Sequence, residues 1–433
     1  MGWLGTLVLS LLLWGCADAG GGNPDAATDG GVEAPIVERP SDGAFTCSVG
    51  QPLRAYGERV WAFPGADIAR LLDGSTWLAR VEIESGDPYD LTGYSLVASK
   101  IDASGELQAA TVIPVEHIEG VSSPQLIALS TGRLGVYWIE DRKLRFAALD
   151  ASGAIAIEPV TIAENTGIDL AATLIVTRSA SRVAAVWRSY NDNRAWFLVT
   201  DEAGAPATPV VLDRIATSVP VVVATNDGAF AMLSSAADSA EGSPLDVSFA
   251  RLAADGTLSE PVSVVHATGL TESQYVGDVA LVALGEDFLA AWVEGDQGDY
   301  ETSTGARSVV RVQRLSPAGQ PVGEPSILDA PMDSIDRHGP KLVRWDDDTV
   351  GVLWGVSTHV YICGGCVPDT RINLVLLDPT SLTPRSNVAT LPPIEGGLDV
   401  TSVAFSSAAD LALALQVQFH TTADPAFAAL HCE

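Results

Sequence analysis

No apolar run in this chain approaches the roughly 20 residues that a membrane-spanning helix needs. Basic residues are also scarce: 24 Lys and Arg stand against 55 Asp and Glu, a net charge of −31. A field of that sign repels phosphate backbones and anionic headgroups, which argues against nucleic acid as a partner. The motifs of common enzyme classes are missing as well, with no Gly-x-Ser-x-Gly, His-Glu-x-x-His, P-loop or dinucleotide fingerprint. Cysteine is limited to five residues and aromatics to 6%. What the chain does have is a 47% hydrophobic content and a mean hydropathy of +0.22, enough to exclude wholesale disorder. Its 433 residues exceed one ordinary domain, which leaves either several domains or one large repeat array.

Residues 3–14 form an apolar stretch of signal-peptide length, and residues 1–15 read as an export signal. The stretch ends in Leu13-Trp14-Gly15-Cys16, which resembles the lipobox of bacterial lipoproteins. Trp14 and the lack of Lys or Arg ahead of the core depart from that pattern. The resemblance implies that Cys16 carries lipid and becomes the mature N-terminus; the alternative is a plain secretory signal with an incidental cysteine. Residues 16–43 would be a flexible linker, since the segment GGGNPDAATDGG at 20–31 has almost nothing to bury. A lipobox followed by such a tether is similar to the surface lipoproteins of predatory and social Gram-negative bacteria such as myxobacteria. That implies an outer-membrane lipoprotein facing periplasm or cell surface, touching the membrane through its anchor alone.

From residue 44 to 433 one pattern recurs: a strand, a tight turn with glycine, then a short strand containing proline. The turn glycines Gly105, Gly153, Gly204, Gly256 and Gly319 are spaced 48, 51, 52 and 63 apart. Glycine supplies the positive φ that hairpin turns require. Upstream of four turns, a strand apolar on both faces ends in Trp138, Trp187, Trp292 or Trp354, the pattern of a sheet packed between two others. Those tryptophans read as core between sheets. Four strands per unit of about 50 residues predicts propeller blades, similar in length to kelch repeats but without the kelch pattern.

First strands are expected near Asp67, Pro124, Ile168, Pro220, Asp278, Pro340 and Val400, giving an all-β, seven-bladed propeller of four-stranded blades. The last unit lacks its fourth strand, and the segment at 47–53 resembles the missing one, so an N-terminal strand would complete the last blade. Cys47 and Cys432 then become neighbours and, in an exported protein, a disulfide. The chain-entropy model puts its stabilisation at about 4–5 kcal/mol. Two stacked β domains are the competing architecture.

In four-stranded blades the 2–3 and 4–1 connections share a face, and here those connections are the longest and most acidic segments. Candidate binding residues on that face are Tyr89, Tyr190, Tyr300, Tyr361, Glu294, Asp296 and Asp299, a set suited to sugar rings or a peptide. The carboxylates could hold Ca²⁺, although no EF-hand spacing occurs and a solvated acidic rim is the alternative. His338, His359 and His420 come from adjacent blades on the same face and could hold Zn²⁺. Cys363 and Cys366 lie in the loop that carries His359 and read as a disulfide stapling it, with metal ligation as the other possibility. Asp73-Gly74-Ser75-Thr76-Trp77 resembles part of the Asp box of sialidase-type propellers, but it is one residue short and reads as a plain turn. The sequence thus points to a monomeric envelope protein that binds or scaffolds a protein, peptide or glycan. A polysaccharide hydrolase or lyase using loop carboxylates, or a structural envelope lipoprotein, are the other readings.

Overall fold

The computed structural model describes residues 47–49, 53–54, 66–83, 94–102, 107–116, 122, 124–164, 173–189, 194–216, 219–237, 245–266, 274–296, 307–328, 335–345, 348–358, 369–391, 398–407, 410–419 and 422–432, with the backbone alone in 47–54 and 398–432. Every regular element among them is a β-strand. β1 (Cys47–Val49) and β2 (Leu53–Arg54) precede the first sheet, made of β3 (Asp67–Arg70), β4 (Thr76–Ile83), β5 (Tyr94–Ile101) and β6 (Thr111–Ile113). The second contains β7 (Gln125–Ala128), β8 (Leu134–Glu140), β9 (Lys143–Leu149) and β10 (Ile155–Glu164). The third contains β11 (Thr173–Ser179), β12 (Arg182–Arg188), β13 (Arg194–Asp201) and β14 (Val210–Ala216), and the fourth β15 (Val221–Ala224), β16 (Phe230–Ala237), β17 (Leu245–Leu252) and β18 (Val262–His266).

The fifth sheet is β19 (Gln274–Leu284), β20 (Asp287–Asp296), β21 (Arg307–Leu315) and β22 (Pro321–Ile327). β23 (Ile335–Arg344), β24 (Val350–Thr358), β25 (Asp369–Leu377) and β26 (Ala389–Leu391) form the sixth. A terminal sheet joins β27 (Leu398–Ser407), β28 (Asp410–Phe419) and β29 (Thr422–Cys432) to the N-terminal strands, with β1 antiparallel to β29 and Cys47 opposite Cys432. Within each of the first six sheets consecutive strands pair antiparallel, which is the arrangement of propeller blades.

First strands touch one another in sequence: β3 with β7, β7 with β11, β11 with β15, β15 with β19, β19 with β23, β23 with β27, and β27 with β3. They start within a residue of the expected places at Asp67, Gln125 and Val221. β19 and β23 begin earlier than expected because each carries an irregularity, between Gly277 and Ala280 and between His338 and Lys341. The carboxylate of Asp278, in the first of these, accepts the Gly339 N–H of the second at 3.2 Å. Asp67 makes the same lateral link from β3 to the Leu126 N–H of β7. Inner-strand aspartates therefore stitch neighbouring sheets by bonding backbone donors that the interrupted ladders leave over.

The core lies between the sheets. β8 is buried at every residue, as a strand covered on both faces must be, and separate apolar clusters fill each successive interface from the first sheet to the sixth. Burial pushes the Tyr137 phenol far up, with the Glu202 and Asp201 carboxylates adding to the shift. On the face opposite the long loops, hairpin turns are fastened by their own side chains. Asp150 Oδ1 accepts from Ser152 N–H at 2.8 Å and from its hydroxyl at 2.6 Å, and these bonds hold the carboxyl below its usual range. The turn glycines Gly153, Gly204, Gly256 and Gly319 all have positive φ; Gly105 lies outside the described residues. Asp73 to Trp77 is the turn between β3 and β4, with Asp73 accepting from Ser75.

Candidate functional site

In the six sheets of consecutive strands, a residue at or one place inside the start of the second strand faces one at or one place inside the end of the third: Thr76 faces Ile101, Leu134 Leu149, Val183 Thr200, Phe230 Leu252, Phe288 Leu315 and Val350 Leu377. Four residues further on stand Arg80, Trp138, Trp187, Ser234, Trp292 and Trp354. The four tryptophans are each at most 1% exposed and belong to clusters shared with the preceding sheet. They are core between sheets, as the sequence indicated. Two positions depart from the pattern, Arg80 in the first sheet and Ser234. Ser234 shares a face with Met232, two residues away, and Met232 belongs to the cluster between the third and fourth sheets. Opposite Ser234 lies Ser248, where the other sheets place Arg145, Trp196, Arg311 and Asn373 opposite their tryptophans.

Two small hydroxyls replace an indole and a long side chain, and a cleft of about 380 Å³ results. Small-molecule sites run from roughly 300 to 1,000 Å³. Phe197, Met232 and Ala250 form buried apolar walls, Val211, Leu212 and Leu258 extend them outward, and Ser234 and Ser248 supply hydroxyls. Towards the loop-rich face the cleft is bounded where β14 crosses over to pair with β16, Ile215 opposite Ala237 and Ala216 opposite Ala236. At the mouth Glu260 is exposed and Val210 is 46% exposed. Ser259 is held rigidly there: Arg251 N–H donates to its Oγ at 2.9 Å, and its own N–H donates to Arg251 O at 2.8 Å.

The turn glycines register the same looseness. A Cβ on Gly204 would lie 2.4 Å from Phe146 of the preceding sheet, and one on Gly319 2.0 Å from Phe249, whereas one on Gly256 would meet nothing within 4 Å. Phe197 occupies in the third sheet the place that Phe146 has in the second, opposite the residue that precedes the tryptophan, but no turn closes over it. Among the described residues lining the cleft there is no histidine, cysteine or lysine to activate a serine. The arrangement can orient an apolar molecule through hydroxyls.

Among the described residues, several carboxylates near the loop ends of second strands have arginine partners. Two residues beyond the column, Glu82, Glu140 and Glu294 bridge to Arg80, Arg145 and Arg311. Arg145 lies 3.6 Å from Glu140 and 3.0 Å from Glu116, and donates to Thr161 Oγ1 at 2.9 Å. Glu294 and Asp296 lie within strand β20, which runs further than the sequence suggested, so the loop begins after them. Asp296 stands opposite Gln274 and Arg307. His338 stands in β23 opposite Gly355, at the irregularity. Cys16, Tyr89, Tyr190, Asp299, Tyr300, His359, Tyr361, Cys363, Cys366 and His420 lie outside the described residues. No group of three or more His, Cys, Asp or Glu able to hold a metal ion occurs among the described residues. The cleft was missed because its signal is a substitution. Aligning the repeats on their turns and reading the same position of each second strand would have marked Ser234, like Arg80, as lacking an aromatic.

No protein-family model matches the chain, and no curated protein does. Among solved structures it is similar to a protein of unknown function from Dyadobacter fermentans, at 10% identity and a TM-score of 0.50, covering 89% of this chain and 99% of that one. It is similar as well to a polysaccharide lyase, an ulvan lyase solved with a bound sulfated saccharide, at 10% identity and a TM-score of 0.52, covering 87% and 95%. At these identities the likeness is one of fold. Sheet topology and structural neighbours together make this chain a β-propeller.

Proposed function

We propose that the protein is an exported, lipid-anchored β-propeller of the bacterial cell envelope that binds a ligand without turning it over. The observation that carries this reading is the cleft at Ser234, a pocket of ligand size with apolar walls and convergent hydroxyls in a rigid frame. Two further facts favour binding over catalysis on a polysaccharide. Glu82, Glu140 and Glu294 are engaged by arginines, and a net charge of −31 opposes anionic chains. Cys16 provides the anchor and residues 16–43 the tether. The propeller counts seven blades, the last completed by β1, and Cys47 and Cys432, opposite each other in the backbone register, form a disulfide across that junction. Cys363 and Cys366 form a second, short-range disulfide.

The test exposes the purified full-length protein to glycan, peptide and small-molecule panels and, in parallel, assays it for cleavage of neutral and uronic polysaccharides. A retained ligand with no chain cleavage is the expected result; cleavage with nothing retained overturns the reading. Mass spectrometry of the mature N-terminus should find acyl chains on Cys16, and an unmodified terminus at Ala17 or Asp18 removes the anchor. Peptide mapping without reductant should link Cys47 to Cys432.

A further inference from the structure

Deepening the proposal that this is a binding protein, we infer that the cleft takes a planar aromatic ligand of one or two rings, neutral or cationic, in the place where four other interfaces hold an indole. Backbone register makes the position comparable from sheet to sheet. In four interfaces the residue at this register position is a tryptophan at most 1% exposed, set among apolar and aromatic side chains of the preceding sheet, while the first sheet has Arg80 there. At the fourth sheet that residue is Ser234, and the surrounding apolar walls are retained: Phe197 is 1% exposed, Met232 2% and Ala250 3%. Interiors pack densely, and side chains left without neighbours lose dispersion contacts. Here the neighbouring sheets have not collapsed into the space, which stays open at about 380 Å³.

Shape and charge narrow the occupant. A slot between two sheets roughly 10 Å apart suits a flat ring better than a branched or globular group. Phe197 offers a ring for stacking or edge contact. Ser234 and Ser248 face each other across the strand pair, and both line the cleft, so its wall carries hydroxyls that a ring N–H or hydroxyl can bond. The mouth carries Glu260 on a chain of net charge −31, which favours an amine and disfavours a carboxylate or phosphate on the ligand.

Isothermal titration of the full-length protein with tryptamine, indole and indole-3-acetate tests this. One saturable site is expected, with tryptamine bound most tightly and indole-3-acetate at least tenfold more weakly. Ser234→Trp fills the slot from within. It should weaken tryptamine at least tenfold while the melting temperature stays at or above that of the parent. Ser234→Leu fills it partly and serves if the larger side chain prevents folding; it should weaken tryptamine less. Glu260→Gln should narrow the preference for tryptamine over indole-3-acetate and leave indole unchanged. Unchanged tryptamine binding in folded Ser234→Trp and Ser234→Leu, or no saturable binding of any of the three probes, overturns the inference. If the panels meanwhile find another ligand that is insensitive to Ser234→Trp, the inference falls and the binding reading stands; if they find none and polysaccharide is cleaved, both fall.

Discussion

The interface between the second and third sheets and the one between the third and fourth are built on the same register and packed in opposite ways. In the first, Trp187 and Phe146 fill the space, Trp196 packs beside them and the Gly204 turn closes over Phe146. In the second, Ser234 and Ser248 stand where large side chains stand elsewhere, Phe197 lines an open cleft, and the Gly256 turn stays clear of the preceding sheet. The difference teaches that backbone pairing sets the frame, and side-chain volume at one repeated position decides whether an interface is sealed. Repeat architectures make this possible because stability is roughly a sum over units and their interfaces, so one loosened junction leaves the others intact.

The contrast can be broken by opening the sealed interface. Trp187→Ser should cost about 3–5 kcal/mol, in the range of large aromatic truncations in cores, read as a lower denaturation midpoint. It should also create a second tryptamine site by titration. Next in size are the turns. Gly204→Ala meets both positive-φ strain, about 1–2 kcal/mol, and overpacking against Phe146, about 1–3 kcal/mol, whereas Gly256→Ala meets the strain alone; equal melting temperatures for the two would remove the packing argument.

A third effect concerns the hairpin turns under pH. Partial burial works to raise Asp378, but the N–H groups of Ser381 and Thr380 and the Arg385 guanidinium outweigh it and hold the carboxyl down to about 2. Because the folded value lies below the unfolded one, the stabilisation is complete above about pH 4 and is lost as pH falls from about 4 to 2, amounting to roughly 2 kcal/mol. Asp378→Asn should flatten that segment of the stability profile. Asp255, in the matching turn of the fourth sheet, is lowered by Thr257 alone among its neighbours, so Asp255→Asn should do so less. Smallest of all, Glu260→Gln should leave stability within about 0.5 kcal/mol, measured by denaturant unfolding.

Much of the frame was legible in the chain. Turn glycines at Gly153, Gly204, Gly256 and Gly319 mark hairpins because few other residues adopt their backbone angles, and doubly apolar strands mark sheets covered on both faces. Trp138, Trp187, Trp292 and Trp354 announce core because indoles at one repeat position have the same neighbours each time. The cleft was not legible in the same way. Ser234 and Ser248 are unremarked residues in strands that already alternate small and apolar side chains, and their meaning comes from the cross-strand register, which shows what they replace. Likewise Glu294 reads as an acidic loop residue until strand pairing brings Arg311 alongside.

The pairing of β1 with β29 sets the order of assembly. Residues 47–49 bond to residues 430–432, so the terminal sheet depends on the contact of greatest sequence separation in the domain, and loop closure makes such contacts late. During synthesis the earlier sheets can stack while this edge stays unpartnered. Removing residues 430–432 would take away the partner of β1 and leave a sheet edge open to other strands.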